Sequence, residues 1–130
     1  MVRINDGARN AAVDGIAGEF SGGTLRIYTG SQPANAGDAP TGDLVVEISL
    51  PTPAFSAATG GSASMSGSWS GTAATSADLT TQGWYRIQSG DGSVRKDGEV
   101  GEQLTLDDYN IIEGGTVTIT AAQLSMPASA

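Results

Sequence analysis

One short stretch of the chain gathers the oxygen ligands that a metal site would need. Carboxylate and hydroxyl oxygens are the groups that Ca²⁺ prefers, and they come here from Asp91, Ser93, Asp97 and Glu99. The spacing does not follow an EF-hand loop, and the cations of Arg95 and Lys96 stand where further ligands would be needed. We expect these cations to pair with the acids of the same stretch, so the sequence predicts no metal site.

A second pair of carboxylates, Asp107 and Asp108, is adjacent in the sequence. On a strand, neighbouring side chains point to opposite faces, so the two could not share a proton. In a turn, each would accept hydrogen bonds from nearby backbone instead. A catalytic acid also needs an environment that shifts its pKa. We therefore interpret both as turn residues.

Composition excludes several classes of chemistry. The chain has no Cys and no His, which removes thiolate nucleophiles and the commonest general base. Its net charge is −8 and Lys96 is its single lysine, so phosphate backbones and anionic membranes would be repelled. Its glycine pairs lack the lysine and the helix of a phosphate-binding loop. The sequence predicts a protein that is not an enzyme, has no cofactor, and binds neither nucleic acid nor membrane.

Aromatic side chains offer one further kind of site. Trp69 and Trp84 could stack on sugar rings if they were exposed. We expect Trp84 to be core and Trp69 to be the better candidate for an exposed platform. A carbohydrate-binding or adhesion module would use Trp69 with Tyr28 and Tyr109.

The element that must position these residues is a β-hairpin at Gly83–Gly101. Trp84–Ile87 is a dense aromatic and β-branched run, and Ser89–Gly92 has the Gly and Asp of a tight turn. A more polar strand then returns over Val94–Val100. We predict that this hairpin is central to a small β domain.

The one predicted helix covers residues 5–19. Asn5 or Asp6 could cap it, because a short polar side chain can accept hydrogen bonds from first-turn amides. Its apolar stripe is predicted to be Ala8, Ala11, Ala12 and Ile16, with Val13 at its border.

Strands are predicted by period-two alternation at Thr24–Thr29, Asp43–Leu50 and Thr116–Thr120. Gly30–Gly42 is a long loop with two prolines, either a solvated excursion or a functional segment. The small-residue segment 57–77 could be a linker, but its alternation favours weak strands. A β-bulge is predicted near residues 121–122, and Pro127 is expected to end the ordered chain. Predicted core residues are Leu25, Ile27, Val46, Ile48, Phe55, Leu79, Val117 and Ile119.

These elements sum to about eight short strands after one short helix. We predict an all-β fold, a single small β-sandwich or jelly-roll-like domain with one short N-terminal helix. Residues 1–20 would form an N-terminal arm and the helix, and residues 21–127 the β-sandwich domain. Neither a transmembrane span nor a signal peptide is recognisable, which predicts synthesis and folding in a cytoplasm.

Three phrases of the sequence resemble small structural proteins encoded among the virion genes of tailed bacteriophages. They are Gly22–Pro33, Leu44–Phe55 and Gly83–Gly101, and the resemblance covers most of residues 20–120. It implies a head decoration or cement protein that binds the major capsid protein and stabilises the head. It also implies a place on the outer head surface of the virion after synthesis in the host cytoplasm, with self-association around a symmetry axis as a further expectation.

Contacts with such a partner are expected from the chain ends and the long loop. The two prolines of the Gly30–Gly42 loop limit the entropy that this loop loses on docking. The predicted interface residues are Val2, Arg3, Ile4, Gln32, Pro33, Pro40 and Trp69. Two alternatives remain open on the sequence: a tail or neck component of the same virion, and the carbohydrate-binding or adhesion module.

Overall fold

The structure, a computed structural model, describes residues 5–125 and opens with helix α1 (Asp6–Phe20). Asn5 caps the helix, since its Oδ1 accepts a hydrogen bond of 2.9 Å from the Ala8 N–H. The helix ends at Phe20 with Ser21 as its C-cap, and the turn that follows contains Gly22, where a positive φ of 73° suits glycine. The predicted helix and its cap are confirmed.

The face that α1 buries differs from the predicted one. Val13, Ala17 and Phe20 are its buried residues, whereas Ala8 and Ala11 are exposed. The three lie one turn apart, so they form a single face. Val13 and Phe20 carry more apolar area than the alanines of the predicted stripe, and burial of the larger side chains sets the rotation of the helix.

Ten short strands follow the helix, and every pair among them is antiparallel. The first sheet has the order β2-β1-β6-β7, and the second has the order β3-β10-β4 with β8 also paired to β10. Strands β5 and β9 form a small separate sheet. The architecture is a small β-sandwich-like domain with one N-terminal helix, as predicted. The strands are β1 (Thr24–Tyr28), β2 (Leu44–Ser49), β3 (Ser62–Ser64), β4 (Trp69–Thr72), β5 (Ala77–Asp78), β6 (Trp84–Gln88), β7 (Arg95–Glu99), β8 (Leu104–Leu106), β9 (Asn110–Ile111) and β10 (Thr116–Ser125).

The main core lies between the two sheets and beneath α1. Its aromatic centre is Trp69, whose ring meets Phe55 edge-on at 5.2 Å between centroids. Phe20 from the helix approaches Phe55 at 6.5 Å. These contacts bury Phe55 where the sequence predicted it. The other predicted core residues are also buried: Leu25, Ile27, Val46, Ile48, Leu79, Val117 and Ile119.

Two irregularities modify the predicted alternation of the strands. In β2, Tyr28 pairs with Leu44 while Ile27 pairs with Val46, so Val45 is an extra residue and is also buried. The unbroken period-two alternation predicted over Asp43–Leu50 would place Val45 on the face opposite to Val46 and Ile48, in solvent.

The second irregularity lies in β10, where the pairing with β8 shifts between Ile119 and Ala121. This agrees with the bulge predicted near residues 121–122. The shift lets Leu124 be buried together with Ile119 although the two are five residues apart.

The small-residue segment 57–77 is structured rather than a linker. It contains β3 and β4 and the first residue of β5. Ala63 and Trp69, which share one phase of the alternation, are both buried, whereas Gly67 in the same phase is exposed. Small residues suit this segment because Gly71 lies close to β2, where an added Cβ would stand 2.7 Å from the Glu47 carbonyl.

Candidate functional site

The outer face of the first sheet, turned away from the second sheet, carries a row of four charged side chains. Strand register aligns Glu47, Arg26, Arg86 and Asp97 across β2, β1, β6 and β7. Arg26 Nη2 lies 2.9 Å from Glu47 Oε1. The row therefore reads negative, positive, positive, negative, and each cation pairs with the acid on its own side.

Arg86 and Asp97 form a buried, bidentate ion pair. Arg86 Nε donates to Asp97 Oδ1 at 2.7 Å, and Nη2 donates to Oδ2 at 2.9 Å. The two side chains are 3% and 4% exposed. The hydrogen bonds with Asp97 raise the pKa of the Arg86 guanidinium. Two parallel charge-assisted bonds hold both groups in one geometry, so the pair locks β6 to β7.

An aromatic pair lies beside this ion pair on the same face. The rings of Tyr28 and Trp84 stack with centroids 4.6 Å apart and planes 17° from parallel. The Arg86 guanidinium carbon lies 5.3 Å from the centroid of the Trp84 ring, within range of a cation–π interaction. Trp84 is fully buried, as the sequence predicted.

The long segment Gly30–Gly42, the covering loop, buries this face of the sheet. Trp84 Nε1 donates to the Thr41 carbonyl at 3.1 Å, and the charge of Asp38 lies close enough to raise the pKa of Arg86 further. The loop returns through Gly42, whose positive φ of 82° suits glycine. A Cβ at this position would lie 2.0 Å from the Thr29 carbonyl oxygen, so no larger residue fits there. Ten of the thirteen loop residues are exposed, as in a solvated excursion, while the inner side of the loop contacts Trp84.

The four residues considered as candidate calcium ligands have separate roles. Asp91 Oδ1 accepts hydrogen bonds from Ser89 Oγ at 2.8 Å, Ser93 N at 3.0 Å and Ser93 Oγ at 2.8 Å. The backbone and hydroxyl donors of Ser93, followed by Ser89, lower the pKa of Asp91 to about 2. Asp97 is held by Arg86, on the sheet. Within residues 5–125, no group of three or more His, Cys, Asp or Glu side chains could hold a metal ion.

The predicted pairing of Arg95 and Lys96 with the acids of the hairpin is wrong. Arg95 Nε donates to the Gly92 carbonyl at 2.9 Å. Its Nη1 reaches the Gly37 carbonyl of the covering loop at 3.4 Å. Arg86 is the cation that pairs with Asp97, because strand register places the two directly opposite. The one signal in the sequence is Arg86 itself, a cation among the apolar residues of a predicted strand, which indicates the need for an acidic partner but does not specify which acid.

Lys96 points to the inner face and joins the first sheet to the second. Its Nζ donates to Gln103 Oε1 at 2.8 Å and to the Gln123 carbonyl at 2.7 Å. Burial lowers the pKa of Lys96 to about 8. We call Lys96, Gln103 and Gln123 the lysine clasp. Sequence reasoning missed it because it depends on the turn between β7 and β8, where Gln103 has a positive φ of 59°.

Tyr85 packs against Lys96 of the lysine clasp. Its hydroxyl donates to the Glu102 carbonyl at 2.8 Å, and Lys96 Nζ lies 5.7 Å from the centroid of its ring. Burial raises the pKa of the Tyr85 phenol. Gly98 leaves the space for this ring, because a Cβ there would lie 2.6 Å from the Tyr85 hydroxyl.

Trp69, predicted as an exposed platform and as an interface residue, is fully buried. Its Nε1 donates to the Ser66 carbonyl at 3.2 Å, and its ring packs on Phe55. Both predictions for Trp69 are therefore wrong, because the indole is the largest apolar group available to the core of a small domain. Tyr28 is also buried, under the covering loop, and Tyr109 is half-buried. The three do not form a shared exposed platform for sugars.

The remaining predicted interface residues fall in two groups. Gln32 and Pro40 are exposed on the covering loop, and Pro33 is half-buried. Val2, Arg3 and Ile4 lie outside the described residues. Pro127, at which the sequence predicted the end of the ordered chain, lies outside them as well.

Asp108 accepts a local backbone hydrogen bond, as predicted for a turn residue, whereas Asp107 accepts one from a strand residue that is 11 positions away. Asp108 Oδ1 accepts from the Asn110 N–H at 2.9 Å, and Asp107 Oδ1 accepts from the Thr118 N–H at 3.3 Å. The Asp108 carboxylate thus fixes the entry to β9, and the Asp107 carboxylate joins the end of β8 to β10.

No protein-family model matches the chain, and no match was found among curated proteins or solved structures. Among the described residues, no helix is long and apolar enough to cross a membrane.

Proposed function

We propose that the protein is a non-enzymatic structural component of a tailed-bacteriophage virion, a head decoration protein that binds the major capsid protein and stabilises the head. The proposal rests on the resemblance of three phrases of the sequence to small virion proteins. The structure is relevant to the proposal because it gives the position of these three phrases in the fold.

The observation that carries the proposal is that the three phrases form one sheet. Gly22–Pro33 contains β1 and enters the covering loop, Leu44–Phe55 contains β2, and Gly83–Gly101 contains β6 and β7. Together they make the whole first sheet, in the order β2-β1-β6-β7. The resemblance therefore concerns one continuous structural unit rather than scattered turns.

A second support is the way in which polar side chains are used within the body. The ion pair of Arg86 and Asp97, the cap at Asn5 and the lysine clasp each join one element to another. Among the described residues, Thr24 Oγ1 is the one buried side-chain polar atom without a hydrogen-bond partner. Such internal pairing produces a rigid body, which suits a protein that must resist the pressure and heat borne by a filled head.

The surface offers contacts for a partner at two places. The tip of the covering loop exposes Gln32 and Pro40. Ile112 is 70% exposed, the one large hydrophobic side chain so placed in the described part of the chain. It lines a cleft of about 160 Å³ together with Ile111 and Val117. An exposed apolar side chain at a cleft is a contact that docking on another protein could bury.

The test uses heads that lack this protein. Purified protein is added to bare heads, bound protein is measured by co-sedimentation, and DNA release is followed on heating. We expect stoichiometric binding over the whole head surface and release of DNA at a higher temperature. Deletion of residues 1–4, which keeps the Asn5 cap, and Ile112→Ser should each weaken binding, while Thr120→Ser at an exposed position of β10 serves as the control.

Two results would overturn the proposal. Protein that does not bind bare heads, or that binds without changing the temperature of DNA release, is not a decoration protein. Binding confined to one vertex or to the tail would instead support the neck or tail alternative, since such parts occur in few copies per particle.

A further inference from the structure

Strand β7 lies at the edge of the first sheet and pairs only with β6 there. At its two ends, the Ser89 N–H donates to the Val94 carbonyl at 2.9 Å and the Val100 N–H donates to the Gly83 carbonyl at 3.0 Å. Backbone groups alternate in direction along an antiparallel strand. The even-numbered residues of 94–100 therefore face β6, and Arg95, Asp97 and Glu99 direct their N–H and C=O groups to the open edge.

The charges along this edge are arranged as a self-complementary set. Asp97 sits in the middle, and its charge is compensated by Arg86 within the same protomer. Arg95 and Glu99 are exposed at opposite ends of the strand. A second copy running antiparallel, with Asp97 opposite Asp97, places each Arg95 opposite Glu99 of the other copy. Opposite charges at directly facing positions stabilise a pair of strands.

We propose that two copies of this chain associate through β7, antiparallel about a two-fold axis at Asp97, so that their first sheets form one continuous eight-stranded sheet. The free backbone groups of residues 95, 97 and 99 would bond across the axis in this register. A shift by two residues in one direction sets Asp97 against Glu99. A shift in the other direction sets Arg95 against Asp97, which Arg86 already compensates, and leaves Glu99 opposite Ser93 without a cation. Charge complementarity thus selects both the occupant and the register.

The existing contacts of the edge are compatible with this pairing. Arg95 uses Nε for the Gly92 carbonyl and Nη1 for the Gly37 carbonyl, and the guanidinium has further N–H donors for a carboxylate. The Glu99 carbonyl accepts from the Glu102 N–H at 2.9 Å and keeps a second lone pair. Lys96 turns to the inner face and stays in the lysine clasp. The pairing therefore needs no rearrangement of the fold.

An interface made of one five-residue strand is small compared with the roughly 1,600 Å² of a standard stable complex. We therefore expect a weak, concentration-dependent dimer, which covalent trapping can capture. The chain has no native cysteine, so introduced thiols have no competing partner.

The trapping experiment uses Arg95→Cys and Glu99→Cys as separate variants. In the proposed register, their Cα atoms face each other at about 5.5 Å, the spacing of a hydrogen-bonded antiparallel pair and within disulfide range. Two copies of the same variant would hold their thiols about 13 Å apart, four strand residues, which is beyond that range. Under mild oxidation, an equimolar mixture should give the mixed disulfide about tenfold faster than either variant alone. Equal rates would overturn the register and the proposal with it.

Charge reversal tests the electrostatic argument without cysteines. Arg95→Glu and Glu99→Arg should each weaken association in sedimentation velocity over a concentration series, and the double variant R95E/E99R should restore it. Glu113→Arg, at an exposed residue away from β7, changes the net charge of −8 by the same amount as Glu99→Arg and is the matched control. Glu113→Arg should leave association unchanged or strengthen it.

Failure of the double variant to restore association, with circular dichroism showing it folded, would contradict the proposal. So would an effect of Glu113→Arg equal to that of Glu99→Arg, since net charge alone would then explain both. All measurements use the purified protein, so the proposal stands or falls separately from the virion role.

Discussion

The buried ion pair of Arg86 and Asp97 allows a prediction that separates its two partners. Removing one member of a buried pair leaves an uncompensated charge and typically costs about 3–5 kcal/mol. The covering loop is a single layer of chain between this pair and solvent, so we expect about 3 kcal/mol for Asp97→Asn, the lower end of that range. Against the total of about 5–15 kcal/mol typical of a domain, such a variant remains folded but unfolds at clearly lower urea.

Arg86→Met removes the other partner of the ion pair, and the stability lost in this variant should depend on pH in a different way. An unpaired Asp97 carboxylate can take up a proton and become neutral, whereas an unpaired Arg86 guanidinium stays protonated in a protein. The free energy of unfolding that Arg86→Met loses should therefore become smaller as the pH falls from 7 towards 4. The loss in Asp97→Asn should stay constant over that window. The double variant R86M/D97L removes both charges and should lie within about 1–2 kcal/mol of the parent protein.

Urea titrations followed by tryptophan fluorescence are a suitable assay. Trp84 lies against Arg86 and Trp69 lies in the main core, so loss of either environment is visible. Variants Trp84→Phe and Trp69→Phe would assign the signal. An Asp97→Asn variant within about 0.5 kcal/mol of the parent, the range of ordinary surface substitutions, would refute the burial of this pair. Equal pH dependence of the two single variants would refute the argument about protonation.

The remaining predictions concern the core and the lysine clasp. Ile48→Ala and Ile119→Ala should each lower the free energy of unfolding by about 2–5 kcal/mol, measured by urea titration, because both side chains are buried between the sheets. Near-neutral effects at both positions would mean that the strand phases are wrong. Lys96 has a folded pKa of about 8, below its unfolded value of about 10.4, so the unfolded chain binds more protons in between and stability should rise with pH from 8 to 10. The raised pKa of Tyr85 acts in the opposite sense above about pH 10, where the unfolded phenol loses its proton first and stability should fall. Thermal midpoints across pH 7–11 should show this rise and fall in the parent, and Lys96→Met should keep only the fall.

The strands that the sequence predicted well have one face on the core and the other in solvent. Val117 and Ile119 in β10 are examples, and their threonine neighbours supply the polar alternation. The pattern fails in β6, where Trp84, Tyr85, Arg86 and Ile87 are all buried. Both faces of this strand are covered, one by the second sheet and the other by the covering loop. Period-two reasoning cannot show which distant segment will cover a face, so the burial of Arg86 was not predictable from it.

Only part of the candidate site was predicted, because a sequence indicates contacts between neighbouring residues but not contacts between distant segments. The turn residues Asp91 and Asp108 have local hydrogen-bond partners, and their roles follow from sequence neighbours. Arg86 and Lys96 have partners that are 11 and 27 residues away, Asp97 and Gln123. Those pairings depend on register and on the packing of the two sheets, which a single sequence does not specify. Trp69 was misplaced because its small, polar neighbours suggested a surface.

The single lysine of the chain gives the molecule one internal side-chain amine for chemical labelling. In the folded state, Lys96 Nζ is held by Gln103 and Gln123, and a half-buried amine engaged in this way should react slowly with an acylating reagent. Opening between the two sheets would free it, while the rest of the fold could remain intact. Each acylated chain therefore records one opening event, and mass spectrometry of a peptide containing residue 96 counts those events directly. The same count, taken on free protein and on protein bound to a partner, would show how binding changes the frequency of opening.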